Sequence, residues 1–207
     1  MDIPNTPAEL HAALIDIYLL RGQGRYGLSR CNQLAHAVQA GAIARRQRLP
    51  GSLMVAAVLH DIGHMIHDLG CHPAASGIDD RHEELGARWL GNCFGPAVCE
   101  PIRLHVAAKR FLCGIDPTYH KHMTGDSIES LDLQGGPMTA AEATEFRQEP
   151  YWREAVMLRK IDEAAKDPHG PMPLFGSFWF DIETVMMEHA TSLSRHEQPF
   201  TVDSICA

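Results

Sequence analysis

The sequence has little that would place the protein in a membrane or outside the cell. Its longest purely apolar run, Leu53–Leu59, is far shorter than the roughly 20 residues of a membrane-spanning helix. The first residues lack the basic and apolar segments of a secretory signal. The cysteines form no C-x-x-C pair and no compact framework, which is typical of free thiols in a reducing compartment. They are Cys31, Cys71, Cys93, Cys99, Cys113 and Cys206. We therefore expect a cytoplasmic protein that has no membrane partner.

Positive charge is also scarce. The chain has 18 Lys and Arg residues against 26 Asp and Glu residues, which gives a formal net charge of −8 at pH 7. Such a balance argues against a general affinity for nucleic acid. If the substrate is an anion, the positive charge that binds it has to be concentrated in one place. The length of 207 residues and the 45% hydrophobic composition predict one domain over residues 1–207.

The alternation of apolar and polar residues that is typical of strands is almost absent, whereas helical periodicity recurs along the chain. The sequence therefore predicts an all-α fold. The predicted helices span Ala8–Leu20, Cys31–Arg46, Leu53–Asp68, Asp79–Gly91, Ala97–Leu112, Tyr151–Lys166 and Ser177–Arg195. A further short helix is predicted after Thr139, a suitable N-cap. Residues 113–137, rich in His, Asp, Ser and Gly, are predicted to be irregular.

The chain has 13 histidines, and the pair His60-Asp61 is the most informative feature among them. It directly follows the apolar run Leu53–Leu59, and burying a charged pair there costs free energy unless something compensates it. A metal ion would do so. A histidine that is simply hydrogen-bonded within the core is the alternative for such a pair taken alone.

Other residues strengthen the metal interpretation. Imidazoles and a carboxylate occupy apolar or mid-helix settings before and after the His60-Asp61 pair, and the ordered set resembles the H…HD…H…H…D pattern of the HD-domain superfamily. Six such ligands suffice for two metal ions that share Asp61, and imidazole with carboxylate suits iron or manganese. The predicted ligands are His36, His60, Asp61, His82, His105 and Asp162.

Three groups that can carry positive charge stand one helical turn from predicted ligands. His64 is four residues after His60, Lys109 is four after His105, and Arg159 is three before Asp162. Residues at these spacings share a helix face. The three groups are therefore predicted to line a pocket for phosphate or phosphonate beside the metal ions. The alternative is that Lys109 and Arg159 are ordinary solvated charges.

At residues 26–166 the chain resembles the HD-domain mixed-valence diiron oxygenases of organophosphonate catabolism, of the PhnZ/TmpB type. The resemblance rests on Tyr26, Asn32-Gln33-Leu34-x-His36, Leu59-His-Asp-Ile-Gly-His64, His105-Val-Ala-Ala-Lys-Arg110, Gln134-Gly-Gly-Pro-Met138 and Arg159-Lys-Ile-Asp-Glu163. It implies a helical bundle around two irons in the mixed-valence Fe(II)/Fe(III) state, with dioxygen as co-substrate. It also implies that a C-terminal helical extension, about residues 177–195, follows the matched region.

The resemblance further implies which side chains meet the substrate. Tyr26, His64 and Lys109 would have catalytic roles, with Tyr26 in an iron coordination position until substrate displaces it. The implied substrate-binding residues are Tyr26, Ser29, His64, Lys109, Ser127, Gln134 and Arg159.

One position departs from the PhnZ branch of that family, in which a glutamate three residues after the loop tyrosine receives a primary ammonium. Here that position is Ser29. A quaternary ammonium donates no hydrogen bonds and does not need such a partner. The expected substrate is therefore (R)-1-hydroxy-2-(trimethylammonio)ethylphosphonate, cleaved at its carbon–phosphorus bond to glycine betaine and phosphate. The alternative substrate is 2-amino-1-hydroxyethylphosphonate, which would give glycine and phosphate.

A different class of enzyme shares the same metal ligands and cations. An HD-type phosphohydrolase would use a metal-activated water on a nucleotide or phosphomonoester. Tyr26, the Gln134–Met138 loop and the His105–Arg110 segment favour the oxygenase.

Overall fold

The computed structural model describes residues 2–25, 28–70 and 72–196. Over these residues the chain is helical and contains no strand, which confirms the predicted all-α class. The helices are α1 (Pro7–Asp16), α2 (Gln33–Arg46), α3 (Gly51–Leu59), α4 (Gly63–Ile66), α5 (His82–Leu90), α6 (Pro96–Ile115), α7 (Gly125–Leu133), α8 (Ala140–Phe146), α9 (Trp152–Ala164) and α10 (Trp179–His196). A π-helical turn (Ile17–Arg21) continues α1, and short 3-10 turns span Ala74–Ser76, Tyr119–His122 and Phe175–Phe178. In this part of the chain, no helix is at once long and apolar enough to cross a membrane.

Helix α3 lies at the centre of the main hydrophobic core. Every residue of Leu53–Leu59 is buried, as the unbroken apolar run predicts. Leu14 of α1, Ile102 of α6 and Leu158 of α9 are fully buried in the same core, and each such side chain stabilises the fold by about 1.5–3 kcal/mol. The packing of these helices around α3 positions the segments from which the polar side chains of the site project.

The C-terminal helix belongs to this core as well. Phe178 is fully buried, and Ile182 and Met186 of α10 are buried in the same cluster as α3. Trp179 packs edge-on against His11, with ring centroids 4.1 Å apart. The region after residue 166 therefore supports the bundle from the side of α3.

The predicted single helix Leu53–Asp68 is wrong, because the chain turns at the His60-Asp61 pair. Helix α3 ends at Leu59 and α4 begins at Gly63. Between them the backbone bonds reach back only three residues, from Ile62 N to Leu59 O (3.1 Å) and from His64 N to Asp61 O (3.1 Å). This tightening ends the α-helical register. His64 therefore does not share one helix with His60, although the prediction assumed that it did.

The predicted irregular segment, residues 113–137, is also partly wrong, since it contains α7. Only Ser127 and Leu131 of α7 are buried, so the helix has almost no apolar stripe to reveal it. Ser127 is a polar residue on the buried face, so the apolar periodicity of the sequence did not predict this helix. The other predicted helices agree with the structure to within a few residues, and Thr139 does cap α8, in a capping box with Glu142.

Helix α4 lies very close to the first turn of α5. A Cβ atom on Gly63 would stand 2.0 Å from the carbonyl oxygen of His82, closer than atoms approach each other. A Cβ atom on Gly86 would in turn lie 3.3 Å from Gly63 N. The absence of a side chain at Gly63 is thus what allows His82 to reach its position.

Replacing Gly63 with Ala should therefore force the two backbones apart. We expect Gly63→Ala to lower the free energy of unfolding by about 1–3 kcal/mol through overpacking. Gly125→Ala is the control, since nothing lies within 4 Å of its new Cβ and it should stabilise by about 0.4–1 kcal/mol. Urea unfolding of both variants measures the difference. Equal stability of the two would contradict the close approach.

Candidate metal centre

All six residues predicted as metal ligands come together in the interior. They project from α2, from the turn after α3, from the start of α5, from the middle of α6 and from α9. Their exposed fractions lie between 0% for His36 and His60 and 8% for Asp61. Buried imidazoles and carboxylates in such numbers need compensation of the kind that a metal ion supplies.

The four imidazoles are held in the same way, by a contact at Nδ1. Each ring places its Nδ1 against an oxygen acceptor, which fixes the proton on Nδ1 and leaves the lone pair on Nε2. The contacts are His36 to Ala165 O (3.3 Å), His60 to Ala57 O (3.0 Å), His82 to Asp80 Oδ1 (2.9 Å) and His105 to Ile102 O (2.7 Å). All four Nε2 atoms are therefore available as ligands.

These lone pairs face each other in two pairs. Nε2 of His36 is 3.1 Å from Nε2 of His60, and Nε2 of His82 is 3.1 Å from Nε2 of His105. Two neutral rings at that distance would repel one another through their lone pairs. Burial lowers the pKa of His36 and of His82, but nearby carboxylates outweigh it and raise each pKa to about 9, so without an ion a proton on one ring of each pair relieves the repulsion. A cation bound by both nitrogens removes the repulsion, so each pair has the character of a metal subsite.

Asp61 lies between the two pairs. Its Oδ2 is 3.3 Å from His36 Nε2 and its Oδ1 is 3.2 Å from His60 Nε2, while the Nε2 atoms of His82 and His105 are each 3.8 Å from Oδ1. Two of the groups able to hold a metal ion share this carboxylate: one adds His36 and His60, and the other adds His64 and His82. The position of Asp61 suits a ligand that bridges two ions.

Asp162 adds a second carboxylate on the side of His36. Its Oδ1 is 3.3 Å from His36 Nε2 and 3.8 Å from His60 Nε2. This oxygen is buried without a well-aligned hydrogen bond, although Lys166 Nζ lies 3.0 Å away. Burial raises the pKa of Asp162, but Arg159 and Lys166 outweigh it and hold that pKa well below its usual range. The carboxylate is therefore charged and has a lone pair to offer.

The donor set fits iron. It combines neutral imidazoles with carboxylates, and no cysteine belongs to a metal-capable group among the described residues. The two facing nitrogen pairs, with Asp61 between them and Asp162 beside one of them, would be sufficient for two ions.

Three buried cations surround Ser127 beside this cluster. Arg159 Nη2 donates to Ser127 Oγ (3.0 Å), and Lys166 Nζ donates to the same oxygen (2.9 Å). Lys109 Nζ donates to Ser127 O (3.4 Å) and to Ser130 Oγ (2.8 Å). Burial, Arg159 and Lys166 lower the pKa of Lys109 to about 7. Three cations placed so close together favour the binding of an anion between them.

The sequence prediction missed Lys166, which stands four residues after Asp162. The spacing rule that selected Lys109 would have found it. It also missed Glu163, whose carboxylate accepts from Arg159 and from Ser127 Oγ (2.9 Å) and partly balances the cations.

A cavity of about 290 Å³, roughly the liquid volume of ten waters, connects the metal cluster to the surface. Its buried lining includes Asp61, His105, Lys109, Arg159 and Lys166, so its floor carries both the ligands and the cations. Its exposed lining is different: beside Ser29, His72 and Ala75 it contains the carboxylates of Asp79 and Glu129 and the aliphatic side chains of Ile78 and Leu133. The cavity thus changes from a cationic floor to an acidic, partly apolar rim.

His64 lines this cavity even though the helix breaks before it. Its ring stacks on His82, with centroids 3.7 Å apart, and its Nδ1 lies 2.6 Å from Asp80 Oδ2. Burial and His82 lower the pKa of His64. The aspartate at position 80 was not predicted as a site residue, because the predicted helix Asp79–Gly91 placed it among several acidic residues, whereas it lies in the loop before α5.

The remaining predicted residues differ in what the structure describes of them. Gln134 lines the cavity and has a buried Oε1 without a hydrogen bond. Ser29 also lines it, and both its backbone N (2.7 Å) and its Oγ (2.9 Å) donate to Asp126 Oδ2. A carboxylate therefore lies beside Ser29 after all, contributed by α7. Tyr26 lies outside the described residues.

Known proteins share this sequence over most of its length, although no profile of a known protein family matches it. A hydroxymethylphosphonate dioxygenase of Gimesia maris is 38% identical over 193 residues, which are 92% of this chain and 94% of the relative. The glycine-betaine-forming 1-hydroxy-2-(trimethylamino)ethylphosphonate dioxygenase of Leisingera caerulea is 35% identical over 173 residues, 84% of this chain and 88% of the relative.

Identity at this level over nearly the whole chain is sufficient to assign a family. The resemblance to phosphonate-cleaving oxygenases that the sequence motifs suggested is confirmed by both relatives. The chain belongs to the phosphonate dioxygenase family that includes these two enzymes.

Proposed function

We propose that this chain is a single HD domain that holds two iron ions and uses dioxygen to cleave the carbon–phosphorus bond of a 1-hydroxyphosphonate. The observation that carries the proposal is the arrangement of four Nε2 lone pairs and two carboxylates at the floor of a cationic cavity. His36, His60, Asp61 and Asp162 would hold one iron, and Asp61, His82 and His105 the other. Bound there in the mixed-valence state, the irons would supply the redox chemistry with dioxygen.

The protein's own contribution is to bind and orient the phosphonate. Lys109, Arg159 and Lys166 offer donors around Ser127, and His64 faces the same cavity. An anion beside Lys109 favours its charged form and opposes the lowering of its pKa. The proposed role of Tyr26 near the irons rests on the family resemblance.

The proposed reaction balances without a further reductant. Both atoms of dioxygen enter the products as the hydroxyl-bearing carbon becomes a carboxylate and the phosphonate leaves as phosphate, with release of one proton. The cations on the floor stabilise the phosphorus-bearing group, which is negatively charged before and after cleavage.

The rim of the cavity supports a substrate with a cationic end. Asp126, Asp79 and Glu129 place carboxylates there, next to the aliphatic side chains of Ile78 and Leu133. A trimethylammonium group combines a diffuse positive charge with apolar methyl groups, and such a rim suits both. We therefore propose (R)-1-hydroxy-2-(trimethylammonio)ethylphosphonate as the substrate, with glycine betaine and phosphate as products.

Two other substrates compete with it. The primary ammonium of 2-amino-1-hydroxyethylphosphonate would also find a counter-charge in Asp126, which Ser29 alone could not provide. Hydroxymethylphosphonate, the compound named for the relative in Gimesia maris, has no cationic end and would leave the acidic rim without a partner. Hydrolysis of a phosphomonoester would use the same floor, but both relatives are named as dioxygenases.

Oxygen consumption distinguishes the proposed reaction from hydrolysis. The iron-loaded protein should consume one dioxygen for each phosphate released when it is given the trimethylammonio substrate. Both signals should stop under nitrogen. An oxygen electrode and a phosphate assay, run in parallel on all three hydroxyphosphonates and a phosphomonoester, provide the measurement. Phosphate release that continues without oxygen would identify a hydrolase instead.

Loss of the shared carboxylate should disrupt both subsites. We expect Asp61→Ala to lose bound iron, because Asp61 lies beside both pairs of imidazoles. Metal analysis after dialysis measures the iron content. Asp132→Ala, on the exposed side of α7, should keep the wild-type content. Two irons retained by Asp61→Ala would exclude the bridging role.

The rim carboxylate should affect cationic substrates only. We expect Asp126→Asn to raise the KM for the trimethylammonio substrate by up to about fivefold, since partly exposed charge pairs contribute at most about 1 kcal/mol. Its KM for hydroxymethylphosphonate should not change, and Asp132→Asn on the same helix is the matched control. Steady-state kinetics on both substrates decide the matter. An equal rise for both would show that Asp126 acts on the fold and not on the ammonium.

A further inference from the structure

Asp80, in the loop before α5, contacts two histidines of the site, His82 and His64, and also His67, but is not one of the six proposed ligands. Its Oδ1 lies 2.9 Å from His82 Nδ1, and its Oδ2 lies 2.6 Å from His64 Nδ1 and 3.1 Å from His67 Nε2. Both oxygens are thus occupied, and the side chain is only 8% exposed. A carboxylate so placed determines how each of these rings is turned.

The backbone around Asp80 is shaped for these contacts. Arg81, the next residue, adopts a left-handed conformation (φ 46°), which costs about 1 kcal/mol or more for a residue other than glycine. The turn brings the carboxylate back over the start of α5, where Oδ1 also accepts from His82 N (3.4 Å). The local strain is therefore offset by contacts to one particular ligand.

Asp80 makes His82 different from the other three imidazoles. The Nδ1 atoms of His36, His60 and His105 face neutral backbone carbonyls, whereas that of His82 faces a carboxylate. A carboxylate partner makes the opposite nitrogen a stronger donor to a metal ion. Among the four rings, His82 is accordingly the one whose donor strength is increased from the Nδ1 side.

The two subsites also differ in charge. The subsite of His36 and His60 has two carboxylates near its nitrogens, Asp61 and Asp162. Among the described residues, the Nε2 atoms of His82 and His105 have the shared Asp61 as their nearest carboxylate. Further negative charge lies on the other side of the His82 ring, where Asp80 Oδ1 is 2.9 Å and Glu83 Oε2 is 3.7 Å from Nδ1. Asp80 is the nearer of the two and the one at hydrogen-bonding distance.

We infer that Asp80 is a positioning residue that fixes the ring of His82 and supplies the negative charge with which the His82–His105 subsite retains its iron. The inference rests on the proposed diiron function. It assigns no ligand bond to Asp80 itself. The same carboxylate contacts His64, whose ring stacks on that of His82. One side chain therefore fixes the ring of a proposed metal ligand and the ring of a residue of the proposed phosphonate pocket.

The test is selective loss of one iron. Asp80→Asn keeps the shape and an acceptor oxygen but removes the charge. Asp79→Asn is the matched control: Asp79 is the preceding residue, lines the same cavity and accepts from Arg81 N (3.3 Å), and within the described part of the chain it makes no hydrogen bond or ion pair with a proposed ligand. Metal-free protein is titrated anaerobically with ferrous iron, and the two binding steps are measured by calorimetry and by metal analysis.

We expect Asp80→Asn to weaken one of the two binding steps by about 10–100-fold and to leave the other at its wild-type affinity. Asp79→Asn should retain both affinities, and Asp80→Glu should restore the weakened step in part, because it returns the charge. The electron paramagnetic resonance signal of the half-oxidised protein should decrease in Asp80→Asn in proportion to the lost iron.

Several results would overturn the inference. Two wild-type affinities in Asp80→Asn would show that the charge is irrelevant, and equal weakening of both steps would show a general effect on the fold. If the wild-type protein bound a third ferrous ion that Asp80→Asn did not bind, Asp80 would itself be a ligand, together with His64 and His67. If Asp80→Asn does not fold, the ferrous titration of Asp80→Glu decides: weakening of one binding step alone supports the positioning role, and two wild-type affinities or equal weakening of both steps refutes it. Wild-type protein that binds no pair of irons would defeat the proposed function itself.

Discussion

The convergence of four imidazole nitrogens on one carboxylate is the arrangement on which the site depends. Backbone carbonyls hold the rings of His36, His60 and His105 with Nδ1 outward, so their Nε2 atoms point inward. Two of these carbonyls belong to residues within α3 and α6, and the third belongs to Ala165, directly after α9. The packed helices therefore hold the nitrogens close together, and a bound cation would add its binding free energy to the stability of the fold.

A further constraint is the mixture of charges around Ser127. Lys109, Arg159 and Lys166 would repel one another in a dry interior if nothing intervened. Asp162 and Glu163 reduce that repulsion, but each is also engaged elsewhere, Asp162 with the imidazoles and Glu163 with the start of α7. The cations are thus only partly neutralised. A dianionic group bound between these cations and the proposed metal ions would neutralise the remaining positive charge.

The sequence was informative where its pattern reports burial and uninformative where the fold turns. The predicted ligands His36, His105 and Asp162 stand among apolar residues on long helices, so periodicity indicated that they are buried. The break after Leu59 could not be predicted, because Leu53–Asp68 has helical periodicity throughout and the turn depends on the packing of Gly63 against His82. Helix α7 and Asp80 were missed for a related reason: their partners are polar, and the contacts of Asp80 with His64 and His67 depend on the turn that brings α4 beside the start of α5.

The wall that closes the cavity is built differently from its floor. The floor is anchored in the main core through α3, α6 and α9, whereas α7 buries only Ser127 and Leu131 and meets the turn Ala74–Ser76 across the opening. Changes in these two outer segments would alter which molecule fits without disturbing the ions beneath. Enzymes of one family can in this way diverge in the compounds they accept, as the names of the two relatives illustrate, while their inner chemistry stays the same.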